Sequence, residues 1–498
     1  MPQYVPLFST EQARAIDRDA QRVLGLTEYA LMQRASAVAW RALLQHWPQA
    51  QRIGIACGPG NNGGDGTVLG GLARESGREV VVVRLPDGAR RSDAARKACA
   101  EWETGACVIR EFEGTLPQVD LWVDALFGIG LTRAPEGAAQ ALIEAINASG
   151  VDVFALDVPS GVDADSGNVP GVAIRATRTL SFIVDKRGLH TGAALEHVGA
   201  LQIDALGVTD AITASHAPAA RLARSNMLAG WLTPRQRNSN KGDYGHVLCV
   251  GGEHGSGGAI ALSAEAALRC GAGLVSVATR AEHVSMLLAR RPEAMVRGVE
   301  DSADFIALYK RASVLAIGPG LGQGEWGRAL LSAALAANKL LVLDADALNL
   351  LPEMLRAKPS SELRDDILTP HPGEAARLLD IATAQVQADR YTAAQALATR
   401  YGCCAVLKGA GSIVAAPDTT AVVIDAGNPG MAVAGMGDVL TGVIAAMRAQ
   451  HLSAFDAAVC GALLHALAGD AAAIDGGERG LIASDLFPQL RRLANPCA

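Results

Sequence analysis

A short segment near residue 438 has the residue types needed to transfer a phosphoryl group. Gly435, Met436 and Gly437 stand just before a helix-forming run, so their N–H groups point outward at a positive helix end. That is an anion hole for a phosphoryl group in transit. Asp438 follows in the first helical turn, where a carboxylate can take the proton of a hydroxyl attacking phosphorus. An aspartate at that position can also do no more than complement the helix dipole. Other strand-end loops favour the catalytic reading. They are Gly318-Pro319-Gly320-Leu321-Gly322, Asp344-Ala345-Asp346-Ala347-Leu348-Asn349, Thr369-Pro370-His371-Pro372-Gly373-Glu374 and Lys408-Gly409-Ala410-Gly411-Ser412. Gly427-Asn428-Pro429-Gly430-Met431 leads into the Asp438 loop. His371 is either a ligand contact or a capped loop histidine. His465, in an apolar run, reads as core.

A second constellation lies in the first half. Gly58-Pro59-Gly60-Asn61-Asn62-Gly63-Gly64-Asp65-Gly66 sits between a strand and a helix, at the carboxyl edge where open parallel sheets bind ligands. A tight turn needs one or two glycines; five in nine residues let a ligand approach the backbone closely. No Gly-Lys-Ser/Thr follows and the spacing is not G-x-G-x-x-G, which excludes the two common phosphate fingerprints. Val123-Asp124-Ala125-Leu126-Phe127-Gly128-Ile129-Gly130 and Asp157-Val158-Pro159-Ser160-Gly161-Val162-Asp163 each place an aspartate where an apolar strand ends. One such aspartate is often a cap; three motifs on successive strand ends point to a site. Hard oxygen donors from Asn62, Asp124 and Ser160 could hold a monovalent or hard cation, leaving Asp157 to face substrate.

Residues 10–46 read as two helices capped by Thr10 and Thr27. Strands are expected at 52–57, 79–85, 121–125 and 153–157, with helices at 66–76 and 92–103. Such alternation indicates a parallel sheet covered on both faces. Around 209–224 the pattern dissolves into Ala, Ser, His and Pro, the mark of a boundary. It restarts with strands at 246–250, 274–278, 314–318, 340–344, 367–369 and 405–408, a helix at 259–270 and a last helical pair over 437–474.

The 498 residues carry a net charge of −7, are half hydrophobic and include 54 glycines. That excludes global disorder and gives no general electrostatic reason to bind nucleic acid or an anionic membrane. Lysine is scarce, with seven residues. Nine scattered cysteines make an odd count without metal spacing, against both a disulfide framework and a zinc site. No basic and apolar leader opens the chain, and residues 457–474 contain His465 and Asp470 and read as a buried helix. A cytoplasmic location is therefore expected.

The motifs GPGNNGGDG, VDALFGIG and DVPSGVDADSG resemble the NAD(P)H-hydrate epimerase domain, over residues 1–215. That family interconverts the R and S epimers of NAD(P)H that has taken up water across its nicotinamide ring. The resemblance implies a Rossmann-like α/β/α sandwich and a bound potassium ion held by Asn62, Asp124 and Ser160. It implies substrate contacts from Asn61, Asn62, Gly63, Gly64, Asp65, Gly128, Ile129, Gly130, Leu131, Thr132, Arg133, Ala134 and the catalytic Asp157. Where the family usually reads Leu-Met-Glu-Asn-Ala-Gly, this chain has Leu31-Met32-Gln33-Arg34-Ala35-Ser36, a change expected to alter pocket packing or a dimer contact.

The second half resembles the ribokinase-like α/β fold, and more narrowly the ADP-dependent NAD(P)H-hydrate dehydratase, over residues 228–498. Lys241-Gly242-Asp243-Tyr244-Gly245-His246, GPGLG, HPGE and GNPGM carry the match. It implies dehydration of the S epimer driven by conversion of ADP to AMP and phosphate, with magnesium accompanying the phosphates. Ala259, Gly322, His371 and the catalytic Asp438 would meet the hydrated nucleotide; Lys408, Gly409, Ala410, Gly411, Ser412 and Gly437 would meet the adenine nucleotide. Val433-Ala434-Gly435-Met436 replaces the family's Thr/Ser-Gly-Gly-Thr/Ser, keeping backbone donors and losing hydroxyl contacts. The expected partners are these small molecules and, for a homo-oligomer, further copies of the chain. A sugar or vitamin-precursor kinase on the same fold, with an N-terminal nucleotide-binding domain, is the competing reading.

Overall fold

The computed structural model describes residues 4–85, 92–103, 108–131, 133–357, 363 and 365–496. It divides into two compact units, Pro6–Ala220 and Arg221–Ala498, the latter including Met1–Val5.

The first unit holds a seven-stranded, wholly parallel sheet. Its strands lie in the order Val108–Glu111, Glu79–Arg84, Arg52–Cys57, Leu121–Ala125, Val153–Leu156, Arg178–Phe182, Ala200–Asp204. The chain builds outward one way from Arg52–Cys57, then returns and builds outward the other way from Leu121–Ala125. A crevice therefore opens between the carboxyl ends of those two strands. Ile53, Ile55 and Val123 are fully buried, as expected where helices cover both faces.

The two N-terminal helices are Thr10–Leu24 and Glu28–His46. Thr27 caps the second, accepting from the Ala30 N–H at 3.1 Å. The first is capped by Ser9, not Thr10. Ser9 and Gln12 form a reciprocal capping box, while the Thr10 hydroxyl donates to Asp165 at 2.7 Å. Ser9 wins because its extended backbone (ψ 166°) belongs to the residue before the first turn.

The helix after the first strand begins at Asn61, five residues earlier than the glycine content suggests. Packing overrides the poor helix propensity of glycine. A Cβ on Gly63 would sit 1.9 Å from the Gly58 carbonyl oxygen. One on Gly64 would lie 2.5 Å from Met32 Cε, and one on Gly66 2.5 Å from Ala125 Cβ. These glycines let the helix lie almost against the sheet and the neighbouring helix. They are steric requirements of the fold rather than a loop opened for a ligand.

The second unit has a parallel run ordered Met295–Gly298, Leu274–Thr279, His246–Val250, Val314–Ile317, Leu340–Leu343, Ile367–Leu368, Cys404–Leu407. Ser412–Ala415 and Val422–Ile424 continue it through antiparallel pairings, two strands beyond those expected from the sequence pattern. Here the direction of building reverses between His246–Val250 and Val314–Ile317. Helix Gly257–Arg269 packs on Met436–Ala449, which packs in turn on Ala454–Gly476. The last is long and apolar enough to cross a bilayer, yet most of it is buried inside the unit, so the buried-helix reading holds.

Gly63→Ala is expected to destabilise the first unit by about 1–3 kcal/mol, because backbone atoms must move to admit the methyl. Gly60→Ala meets nothing within 4 Å and should be tolerated. Thermal melting of the two variants separates steric glycines from permissive ones; equal melting temperatures would refute the packing argument.

Candidate active sites

In the first unit, a cavity of about 510 Å³ opens at the sheet's crevice. Asn61, Asn62, Asp65, Gly128, Ile129, Gly130 and Asp157 line it, as the motifs suggested. Gly63 and Gly64 face the packing contacts described above instead, and Leu131, Arg133 and Ala134 are not among the lining residues. Thr132 lies outside the described residues.

Asp157 follows the strand Val153–Leu156 with φ +65°, a left-handed backbone that costs an ordinary residue about 1–2 kcal/mol. The conformation is held from both sides. Its N–H donates to the Leu180 carbonyl at 2.7 Å, and its carboxylate meets the Lys186 ammonium at 2.6 Å. Lys186 is almost wholly buried and donates also to Ser181 Oγ (2.9 Å) and the Phe182 carbonyl (2.7 Å). Its three protons are thus all used. Asp157 Oδ2 accepts the Ile129 N–H at 3.3 Å, tying the Gly128 loop to the same carboxylate.

Asp124 is fully buried and accepts from the Ser160 hydroxyl at 2.6 Å and the Ser160 N–H at 2.8 Å. Burial pushes its carboxyl up to about 6, against the pull of those hydrogen bonds. The amide of Asn62 is buried with neither its oxygen nor its nitrogen partnered. An orphaned amide costs about 1–3 kcal/mol, and an oxygen-seeking cation is one group that would satisfy it.

Sequence reasoning missed Arg14, Asp17, Gln21, Glu28 and Lys186, all of which line the cavity. Asp17 and Glu28 come from the two N-terminal helices, whose amphipathic pattern alone gave no sign that their polar residues reach a site. The altered segment 31–36 does shape the pocket: Leu31, Met32 and Ala35 line it, and the Ser36 hydroxyl donates to the Asp65 carbonyl at 2.9 Å.

In the second unit, Gly435 caps the helix Met436–Ala449 with φ +93°, and Asp438 lies half-buried in the first turn. Burial first and the nearby Asp344 second push the Asp438 carboxyl up to about 6, while Lys408 pulls it down. Lys408 pairs with Asp344 at 2.6 Å and stands 3.9 Å from Glu374. The other oxygen of Asp344 accepts the Thr441 hydroxyl at 2.7 Å, joining the strand-end aspartate to the helix that carries Asp438. A Cβ on Gly437 would lie 3.2 Å from the lysine nitrogen, so a larger residue would crowd it. The Ser263 hydroxyl donates to the Asp438 carbonyl at 2.7 Å. Ala259, on the same helix as Ser263, lies beside Gly320, and the Gly322 N–H donates to Asp346 at 2.9 Å.

His371 caps the helix Pro372–Leu379, its Nδ1 accepting from the Gly373 and Glu374 N–H groups, while about half of the ring stays exposed. The capped-histidine reading therefore holds, with Nε2 facing outward and 3.4 Å from Glu374. His465 is buried, as expected, and burial lowers it to about 4. Arg390 was not anticipated. Its guanidinium is 1% exposed and donates to the carbonyls of Leu407, Lys408 and Gly411, supporting the loop 408–412 from beneath. Gly409, at φ +138°, leaves it room.

A family model described as NAD(P)H-hydrate dehydratase matches residues 247–492, and one described as YjeF-related protein N-terminus matches residues 28–188. The bifunctional NAD(P)H-hydrate repair enzyme of Coxiella burnetii is 45% identical over 98% of this chain and 99% of its own length. That of Escherichia coli is 42% identical over 98% of this chain and 94% of its own. A ribokinase-like superfamily protein from Enterococcus faecalis superposes with a TM-score of 0.51 at 28% identity, covering 56% of this chain and 96% of that one. With both units matched and relatives alike from end to end, the chain belongs to the family of bifunctional NAD(P)H-hydrate repair enzymes.

Proposed function

We infer that this enzyme repairs hydrated NAD(P)H in two steps. The first unit interconverts the R and S epimers; the second dehydrates the S epimer at the expense of ADP, releasing AMP and phosphate. The observation that carries the second step is Asp438, placed beside backbone donors at a helix N-terminus and against the Lys408–Asp344 pair. Relatives alike over both halves favour this reading over a small-molecule kinase.

In the dehydratase step, Asp438 takes the proton of the ring hydroxyl as its oxygen attacks the terminal phosphorus of ADP, and AMP leaves. The N–H groups at Gly435–Gly437 are aimed where negative charge grows on the moving phosphoryl group. The resulting ester then loses phosphate and a ring proton, and the double bond returns. Residues 408–412 offer the adenine nucleotide a loop whose shape Arg390 fixes in advance. Among the described residues no cluster of three or more His, Cys, Asp or Glu could hold a metal. Magnesium would therefore arrive on the nucleotide's phosphates, its ordinary habit.

In the epimerase step, Asp157 faces the cavity and would contact the hydrated ring, with Asn61, Asn62, Asp65 and Gly128–Gly130 around it. Asn62, Asp124 and Ser160 would hold potassium, a fit supported by the unpartnered Asn62 amide beside an all-oxygen donor set. When bound there, the ion would supply a fixed positive charge next to these oxygens.

Two outcomes test the dehydratase assignment. Asp438→Asn should abolish the ADP-dependent return of reduced-nicotinamide absorbance and leave epimerisation intact; retained dehydration would remove Asp438 as the base. A base must be ionised to act, so dehydration by the native enzyme should fall as pH drops through about 6. Lys408→Met removes the cation that lowers Asp438, and the acid limb of the kcat/KM profile should move upward by about one pH unit or more. An unmoved limb would show that the limb belongs to another group.

A further inference from the structure

The cavity of the first unit carries two carboxyl groups that the structure treats oppositely. Asp157 is paired with a buried lysine and accepts a backbone N–H. Asp65 lines the same cavity, and among the described residues no cation or hydrogen-bond donor reaches its carboxyl. The two arrive from different sides. Asp65 rides on the helix following Arg52–Cys57 and Asp157 follows Val153–Leu156, and the strand Leu121–Ala125, with its Gly128 loop, runs between them.

Burial comes first in setting the state of Asp65, and the charges facing it add to that. Asp157 across the cavity, Asp17 on the first N-terminal helix and Glu28 at the start of the second are all acidic. Together they hold the Asp65 carboxyl well above the usual carboxylate range. The nearby cations are engaged elsewhere. Arg14 donates to the Ile129 carbonyl at 3.0 Å, Arg34 to the Leu206 carbonyl at 3.3 Å, and Lys186 is saturated on Asp157, Ser181 and Phe182. Asp17 itself accepts from Gln21 at 2.9 Å, with Arg18 as its nearest cation. Two carboxyl groups on one cavity, one paired with a lysine and the other among carboxylates with no donor, are placed as an acid and a base sharing one reaction would be.

The chemistry of the substrate asks for such a pair. Water added across an enamine leaves its hydroxyl on the carbon next to nitrogen. One way to invert that carbon is for the hydroxyl to leave from one face and water to enter from the other, and this route needs an acid and a base.

We propose that Asp65 is a second catalytic residue of the epimerase, protonating the departing hydroxyl on one face while Asp157 deprotonates the water entering on the other. The proposal rests on the epimerase reading of this unit. The carbon–oxygen bond breaks with its electron pair going to oxygen, which leaves as water carrying the Asp65 proton. The ring nitrogen's lone pair forms a carbon–nitrogen double bond, leaving a cation. A second water attacks the opposite face and yields its proton to Asp157, and solvent returns that proton to Asp65. In the reverse direction the two residues exchange roles.

The test uses the full-length enzyme and R-enriched hydrated NADH, with epimers separated chromatographically and the spontaneous rate subtracted. Asp65→Asn should lower kcat for epimerisation by about a hundredfold or more, with a smaller change in KM. Its melting temperature and its dehydration of pre-formed S epimer should stay at the native values. Asp65→Glu, which keeps the acid, should recover part of the loss. The native kcat/KM profile should fall on its alkaline side, and Asp65→Asn should lose that limb. In heavy-oxygen water, epimerised product should carry solvent oxygen. Native kcat in Asp65→Asn, or a loss confined to KM with an unchanged pH profile, would overturn the proposal. A native enzyme that does not exceed the spontaneous rate would instead overturn the epimerase reading itself.

Discussion

Both units are organised around a lysine, buried in the first and partly buried in the second, paired with an aspartate at the carboxyl edge of a sheet. Lys186 holds Asp157, and Lys408 holds Asp344, each at 2.6 Å. Two of only seven lysines are used this way. A buried ammonium is costly to desolvate, so it persists only where its acceptors are complete. Lys186 has three acceptors, and Lys408 has the Asp344 carboxylate with Glu374 beyond it. Each pair also fixes what lies beside it. Lys186 helps anchor a left-handed aspartate. Asp344 precedes Ala345, itself at φ +47°, and reaches across to Thr441 on the catalytic helix. Part of the backbone strain in each unit, at Asp157 and at Ala345, thus lies beside these pairs, and strain of this kind is common at functional sites.

The strand-end aspartates were legible because an apolar run stops abruptly at a charged residue. A parallel sheet has only one edge where that charge can reach a ligand. Asp124 and Asp157 could be picked out on that ground, and Asp438 by its place in a helical first turn behind Gly435–Gly437. Their partners could not. Lys186 meets Asp157 across 29 positions and Lys408 meets Asp344 across 64, and no local pattern encodes either pairing. Asp17 and Glu28 were hidden for a related reason, since polar residues on an amphipathic helix read as solvated until the docking of that helix is known.

Glycine was where composition misled. The excess seemed to belong to ligand-binding loops, and part of it does: Gly435 at the catalytic helix and Gly409 above Arg390 fit that account. Gly63, Gly64 and Gly66 do not. They lie inside a helix and face the backbone or side chains of neighbours closer than any Cβ allows. Periodicity distinguishes a helix from a strand but carries no measure of how near two elements come. The helix therefore starts five residues before the expected position, while Asn61, Asn62 and Asp65 still line the cavity at the sheet's crevice.

The guanidinium beneath residues 407–411 bears on when the loop proposed to take the adenine nucleotide becomes ordered. Arg390 engages three main-chain carbonyls from within the core, so the loop acquires its shape as the chain folds. A nucleotide arriving later meets a surface that has already lost its conformational entropy. Association then carries little ordering cost, so the contacts made at this loop count almost in full toward affinity. A repair enzyme that spends one nucleotide on each damaged cofactor would thereby capture it from a dilute pool without first having to order its own main chain.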